Sequence, residues 1–73
     1  MKIKIYIIEN CLYCTLSIQL LKEKKIQYNK ENLKENTQIF DHVIKTYNHK
    51  TAPLIFINEK FIGGYNELKK ILN

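Results

Sequence analysis

The chain has 73 residues, 45% of them hydrophobic and 26% charged, with a formal net charge of +5. That length holds one small domain with a modest core, and that composition excludes a disordered chain. The positive charge is all lysine, spread from Lys2 to Lys70 with no arginine, which reads as a solvated basic surface and not as a nucleic-acid interface.

In chain order, Lys2 to Ile8 alternate, with Ile3, Ile5 and Ile7 on one face, and predict a first strand. No run here or elsewhere approaches the roughly 20 apolar residues of a membrane span. The Ile-rich start also meets Glu9 and Asn10 too soon for a secretory signal. The expectation is therefore a cytoplasmic protein. In that compartment paired cysteines are more often catalytic or metal-bound than structural. From Cys14 to Lys25, Leu16 and Leu20 form one row and Cys14, Ile18 and Leu21 the next, which predicts an amphipathic helix ending in lysines that suit its C-terminal dipole. A short alternating segment near Gln27 to Asn32 predicts a second strand.

Ile39, Phe40, Val43, Ile44 and Tyr47 recur at helical spacing, so Asn36 to Asn48 predict a second helix, capped by Asn36 or Thr37. Tyr28, Phe40, Tyr47, Phe56 and Phe61 are expected in the core or at its edge. Pro53 to Asn58 predict a buried strand, Asn58 to Lys60 a turn, and Phe61-Ile62 its hairpin partner. Gly63-Gly64 break the chain before a short helix carrying Leu68, Ile71 and Leu72. The order is β-α-β-α-β-β-α over one domain, residues 1–73. The first β-α-β unit implies parallel strands with a right-handed crossover, and the closing hairpin implies antiparallel pairing. An α/β fold with a four-stranded mixed sheet flanked by helices results.

Cys11 and Cys14 are the only cysteines. Helical side chains at i and i+3 lie about 5–6 Å apart at Cβ, and a disulfide needs about 3.5–4.5 Å, so small adjustments close or open the bond. As a clip, a bond across so short a loop contributes only about 2 kcal/mol. As a zinc site the set is incomplete, because structural zinc takes four ligands and His42 and His49 lack the usual spacing. A redox pair is favoured. Cys11, at a helix N-terminus whose N–H groups and dipole stabilise a thiolate, is the attacking sulfur. Cys14, on the apolar row, is the buried resolving sulfur.

Three segments together, Cys11-Leu12-Tyr13-Cys14, Thr51-Ala52-Pro53 and Gly63-Gly64-Tyr65-Asn66-Glu67-Leu68, resemble the glutaredoxins over nearly the whole chain. Those are thioredoxin-fold proteins with Cys-Pro-Tyr-Cys, Thr-Val-Pro and Gly-Gly-x-Asp-Asp-Leu segments. The resemblance implies a thioredoxin-like fold and a monomeric, glutathione-dependent thiol–disulfide oxidoreductase with no metal. Its partners would be glutathione and proteins carrying disulfides or glutathione mixed disulfides. It implies Cys11 and Cys14 as catalytic residues and Pro53 as a cis-proline that presents the Ala52 backbone, after Thr51, to an extended glutathione. Past the tight turn at Gly63-Gly64, the N–H groups at Tyr65, Asn66 and Glu67 would receive the γ-glutamyl carboxylate. The Asn66 or Glu67 side chain would meet the ligand's ammonium, Lys50 its glycyl carboxylate, and Tyr13 would flank the cleft.

The chain departs from the family pattern at four places. Leu12 replaces proline, Ile8 stands where many members carry lysine, Asn66-Glu67 replace two aspartates, and the chain stops at Asn73, soon after the last helix begins. Two alternatives follow. A small redoxin served by thioredoxin reductase, feeding ribonucleotide reductase, is favoured by Ile8 and disfavoured by the Gly63–Leu68 segment. A dimer sharing an iron–sulfur cluster through Cys11 of each chain and two glutathiones is opened by Leu12.

Overall fold

Strand β1 (Ile3–Ile7) runs through the interior of the sheet, and its alternation sorts the core onto two faces. The computed structural model describes residues 1–73. β1 pairs in parallel with β2 (Tyr28–Asn32) and antiparallel with β3 (Leu54–Ile57), which pairs antiparallel with β4 (Lys60–Gly63). The four strands lie in the order β2-β1-β3-β4. Helix α1 (Leu12–Glu23) makes the parallel crossover, α2 (Thr37–Tyr47) leads back to β3, and α3 (Tyr65–Leu72) closes the chain. The β3–β4 hairpin turns at Asn58 and Glu59, both at positive φ (51° and 70°), the two-residue geometry that matches strand twist. This is the thioredoxin-like order and mixed sheet expected from the sequence.

Ile3, Ile5 and Ile55 face one way and pack with Leu21 of α1 and Leu68 of α3. Ile7, Ile18, Leu20 and Leu72 close around them. Tyr6 and Leu54 face the other way, against Val43 of α2 and Leu33 of a 3₁₀ turn (Leu33–Glu35). Helices on both faces make β3 apolar at every position (Leu54–Ile57) and β1 apolar from Ile5 to Ile7. A chain this short buries little surface in total, so each of these side chains carries a large share of its stability.

α1 starts at Leu12, with Cys14 inside its first turn as expected and Cys11 as its cap. Several local features differ from the expectation. The strand stops at Ile7 and leaves Ile8 exposed. Ser17 is fully buried among the apolar side chains of α1; its hydroxyl donates to the Tyr13 carbonyl at 2.7 Å, which satisfies the polar group where water cannot reach. The 3₁₀ turn was not expected; it is held by the Lys34 N–H donating to Asn32 Oδ1 at 2.9 Å. Asn36 stands at the N-cap of α2, but its amide donates back to the Asn32 carbonyl at 2.8 Å and makes no cap bond. Tyr47 is 51% exposed, not half-buried, because it ends α2 and leans one side on Phe61, ring centroids 4.9 Å apart. No helix is long and apolar enough to cross a membrane.

Ile5 has no exposed surface and touches both α1 and α3 through their shared cluster. Replacing Ile5 by Ala is expected to cost about 2–5 kcal/mol of unfolding free energy, read from the urea midpoint at constant slope. A loss under about 1 kcal/mol would contradict this packing.

Candidate active site

Between β1 and α1 the chain reverses through Asn10, held at φ 54°. Cys11 follows in extended conformation (φ −116°, ψ 108°) as the N-cap of α1. Its Sγ accepts the backbone N–H of Cys14 at 3.1 Å. A sulfur thus stands where Ser or Asp oxygen ordinarily caps a helix. The Cys11 carbonyl accepts from the N–H and the hydroxyl of Thr15, at 3.1 and 3.2 Å, which locks the cap to the first turn. Cys11 and Cys14 are joined as a disulfide with Cα atoms 5.2 Å apart. Their environments differ: Cys11 is half-buried at the surface, whereas Cys14 is only 3% exposed beneath it. Once the bond is reduced, the N–H donated to Cys11 Sγ and the positive end of α1 favour the charged form of that sulfur.

Cys11 Sγ lies 3.9 Å from the Ala52 carbonyl oxygen. The Ala52–Pro53 peptide is cis, and β3 starts at the next residue. Beside this contact is a cleft of about 180 Å³. It is lined by Tyr13, Thr51-Ala52-Pro53, Gly64, Tyr65, Asn66 and Glu67. The rings of Tyr13 and Tyr65 stand 6.0 Å apart across it. The first turns of α1 and α3 therefore meet at one place. Gly63 sits at φ +122°, where an L side chain is strained, and a Cβ there would collide with the Glu67 side chain. Glu67 uses that space to accept the Gly64 N–H at 2.7 Å, the reciprocal half of a capping box.

Eight of the residues singled out in the sequence are thus brought together beside Cys11: Tyr13, Thr51, Ala52, Pro53, Gly64, Tyr65, Asn66 and Glu67. Lys50 is not among them; it is exposed and does not line the cleft. His49 does line it, and sequence reasoning missed it by weighing it only as a zinc ligand. The available signal was its place in the same loop, two residues before Thr51. A larger groove of about 620 Å³ around Met1, Gln27 and Asn58 contains no cysteine.

Residues 3–62 match the family model for glutaredoxin. The chain belongs to the glutaredoxin family. A probable glutaredoxin of Acanthamoeba polyphaga mimivirus is 34% identical over 80 residues, covering 94% of this chain and 76% of that protein. The dithiolic glutaredoxin of Trypanosoma brucei brucei shares the fold with a TM-score of 0.82 at 28% identity, covering 94% of this chain and 74% of the other. Glutaredoxin 1 of Francisella tularensis, solved with cacodylate, has a TM-score of 0.77 at 31% identity, covering 99% and 96%. With its Cys11–Cys14 pair, this glutaredoxin is a thiol–disulfide oxidoreductase.

In the reduced protein, iodoacetamide is expected to alkylate Cys11 at pH values where a free thiol, pKa about 8.5, is still protonated. Cys14 is expected to react only slowly until the protein is unfolded. Mass mapping of the alkylated cysteines across pH checks both; equal rates, or an onset near that of free cysteine, would contradict the geometry.

Proposed function

We propose that this glutaredoxin reduces protein disulfides and protein–glutathione mixed disulfides with glutathione as its co-substrate. The observation that carries the reading is the cleft that opens beside Cys11, lined by the residues before Pro53 and the first turn of α3. An extended tripeptide pairs its cysteinyl unit with the Ala52 backbone, as a strand added to an edge does. Its γ-glutamyl carboxylate meets the backbone N–H groups of Asn66 and Glu67 at the positive end of α3. Thr51, Tyr13 and Tyr65 shape the walls, and the exposed Lys50, outside the cleft, would have to reach in for the glycyl carboxylate.

The Cys11 thiolate attacks the glutathione sulfur of a mixed disulfide, and the target protein leaves as a thiolate. A second glutathione then attacks the Cys11-bound glutathione, releasing oxidised glutathione and regenerating the thiolate. With a protein disulfide, Cys11 attacks first and Cys14 displaces the target's remaining sulfur. Two glutathiones then reduce the Cys11–Cys14 bond. Glutaredoxin potentials of about −200 to −230 mV lie close to a cytosolic glutathione poise of about −220 to −260 mV, so the cycle runs near balance in either direction. The reading places the protein in the cytoplasm as a monomer.

The test is turnover of a glutathionylated protein with glutathione, glutathione reductase and NADPH. The unsubstituted protein is expected to turn over, Cys11→Ser to abolish turnover, and Cys14→Ser to retain it. Equal loss from both substitutions would remove the one-cysteine route. NADPH oxidation supported by thioredoxin reductase, and not by glutathione with its reductase, would overturn glutathione as the electron source.

A further inference from the structure

We propose that His49 determines ligand specificity at this site by donating from its imidazole to the α-carboxylate of the γ-glutamyl residue of glutathione. The inference rests on the glutathione reading above and assigns a contact that neither the cysteines nor Lys50 supplies.

His49 is half-buried in the cleft wall, whereas its neighbour Lys50 is exposed and outside it. Its ring is held in place. It meets Phe61 edge-on, centroids 5.2 Å apart and planes at 71°, and Phe61 in turn packs on Phe56 at 5.4 Å and Tyr47 at 4.9 Å. A donor fixed by an aromatic stack loses little conformational freedom when it binds. The ring also lies against Gly64, where an added Cβ would come within 3.6–3.7 Å of Cε1 and Nε2. Gly64 is the N-cap of α3, so the imidazole edge stands at the helix end where the carboxylate enters. The imidazole's partner within the protein is weak: Nε2 and Thr51 Oγ1 are 3.5 Å apart, at the outer limit of a hydrogen bond. A ligand oxygen can replace it.

Electrostatics gives the histidine its purpose. Glu67 accepts the Gly64 N–H, which takes one donor from the helix end and sets a negative group beside the incoming carboxylate. The other titratable groups lining the cleft, Tyr13 and Tyr65, carry no positive charge. His49 brings a ring N–H donor into the cleft beside that negative group.

The experiment compares two mixed-disulfide substrates in the coupled assay. One carries glutathione; the other carries 4-aminobutanoyl-cysteinyl-glycine, which keeps the amine and lacks only the α-carboxylate. His49→Phe keeps the aromatic packing and removes the donor. It is expected to raise KM for the glutathione substrate about tenfold with kcat nearly unchanged, the effect of losing a hydrogen bond to a charged group. It is expected to leave KM for the decarboxylated substrate unchanged. His49→Gln, which restores a donor, is expected to recover most of the loss. In the unsubstituted protein, titration with S-methylglutathione is expected to shift the His49 imidazole resonances, a readout that needs no variant to fold. An equal KM change for both substrates, an unchanged KM for both, or unshifted imidazole resonances overturns the assignment of His49 while glutathione turnover stands. Absence of turnover with glutathione in the unsubstituted protein overturns the glutathione reading, and this assignment with it.

Discussion

The backbone N–H of Cys14 points at the sulfur of Cys11 across 3.1 Å, and the different surroundings of the two sulfurs start from that one bond. It exists because Cys11 is the residue that caps α1. A capping side chain must turn back toward the first turn, and a cysteine that does so places its sulfur among unpaired N–H groups. The same turn carries Cys14 inward, under the first residues of the helix, where it is nearly without solvent contact. One sulfur is thereby polarised and reachable and the other apolar and covered, with no charged side chain needed to distinguish them.

Sheet topology brings the rest of the site to that sulfur. β3 runs antiparallel to β1 with Leu54 opposite Tyr6, so the residues before β3 lie beside the end of β1. β4 returns along β3 with Gly63 opposite Ile55, so the chain comes back to the same end of the sheet. The loop at Thr51–Pro53, the turn at Gly63-Gly64 and the cap at Cys11 are therefore neighbours, although they are scattered along the chain. Two helices on one face of the sheet then aim their N-termini at a common cleft. Two converging helix dipoles suit a ligand that brings a thiolate and carboxylates together.

Within this frame the chain uses some side chains of its own. Leu12, where the family pattern has proline, is 68% exposed and leaves the first turn of α1 regular. Glu67 is one methylene longer than the aspartate of the pattern, and it folds back onto the Gly64 N–H through space that Gly63 leaves open. The acidic residue of the third motif thus stabilises its own helix as well as lining the cleft. His49 lies against Gly64 at the same helix end.

The strands, the helices, the order of elements and the location of the reactive sulfur pair were legible in the sequence. Each is a local pattern: period-two isoleucines, helical spacing of leucines, a cysteine pair at a strand-to-helix junction, paired glycines before a helix. The identities of most cleft residues were also legible through three short motifs. The residues misplaced or missed share a physical reason. Ser17 interrupts an apolar row and is buried only because its hydroxyl reaches a carbonyl in its own helix. Tyr47 sits at a helix end, where spacing no longer says whether a ring is covered. His49 and Lys50 are adjacent in a loop, where no periodicity assigns a direction to either side chain. Local pattern determined which elements form; only the packing of Phe61 and Gly64 around that loop decided that the histidine faces the cleft and the lysine faces water.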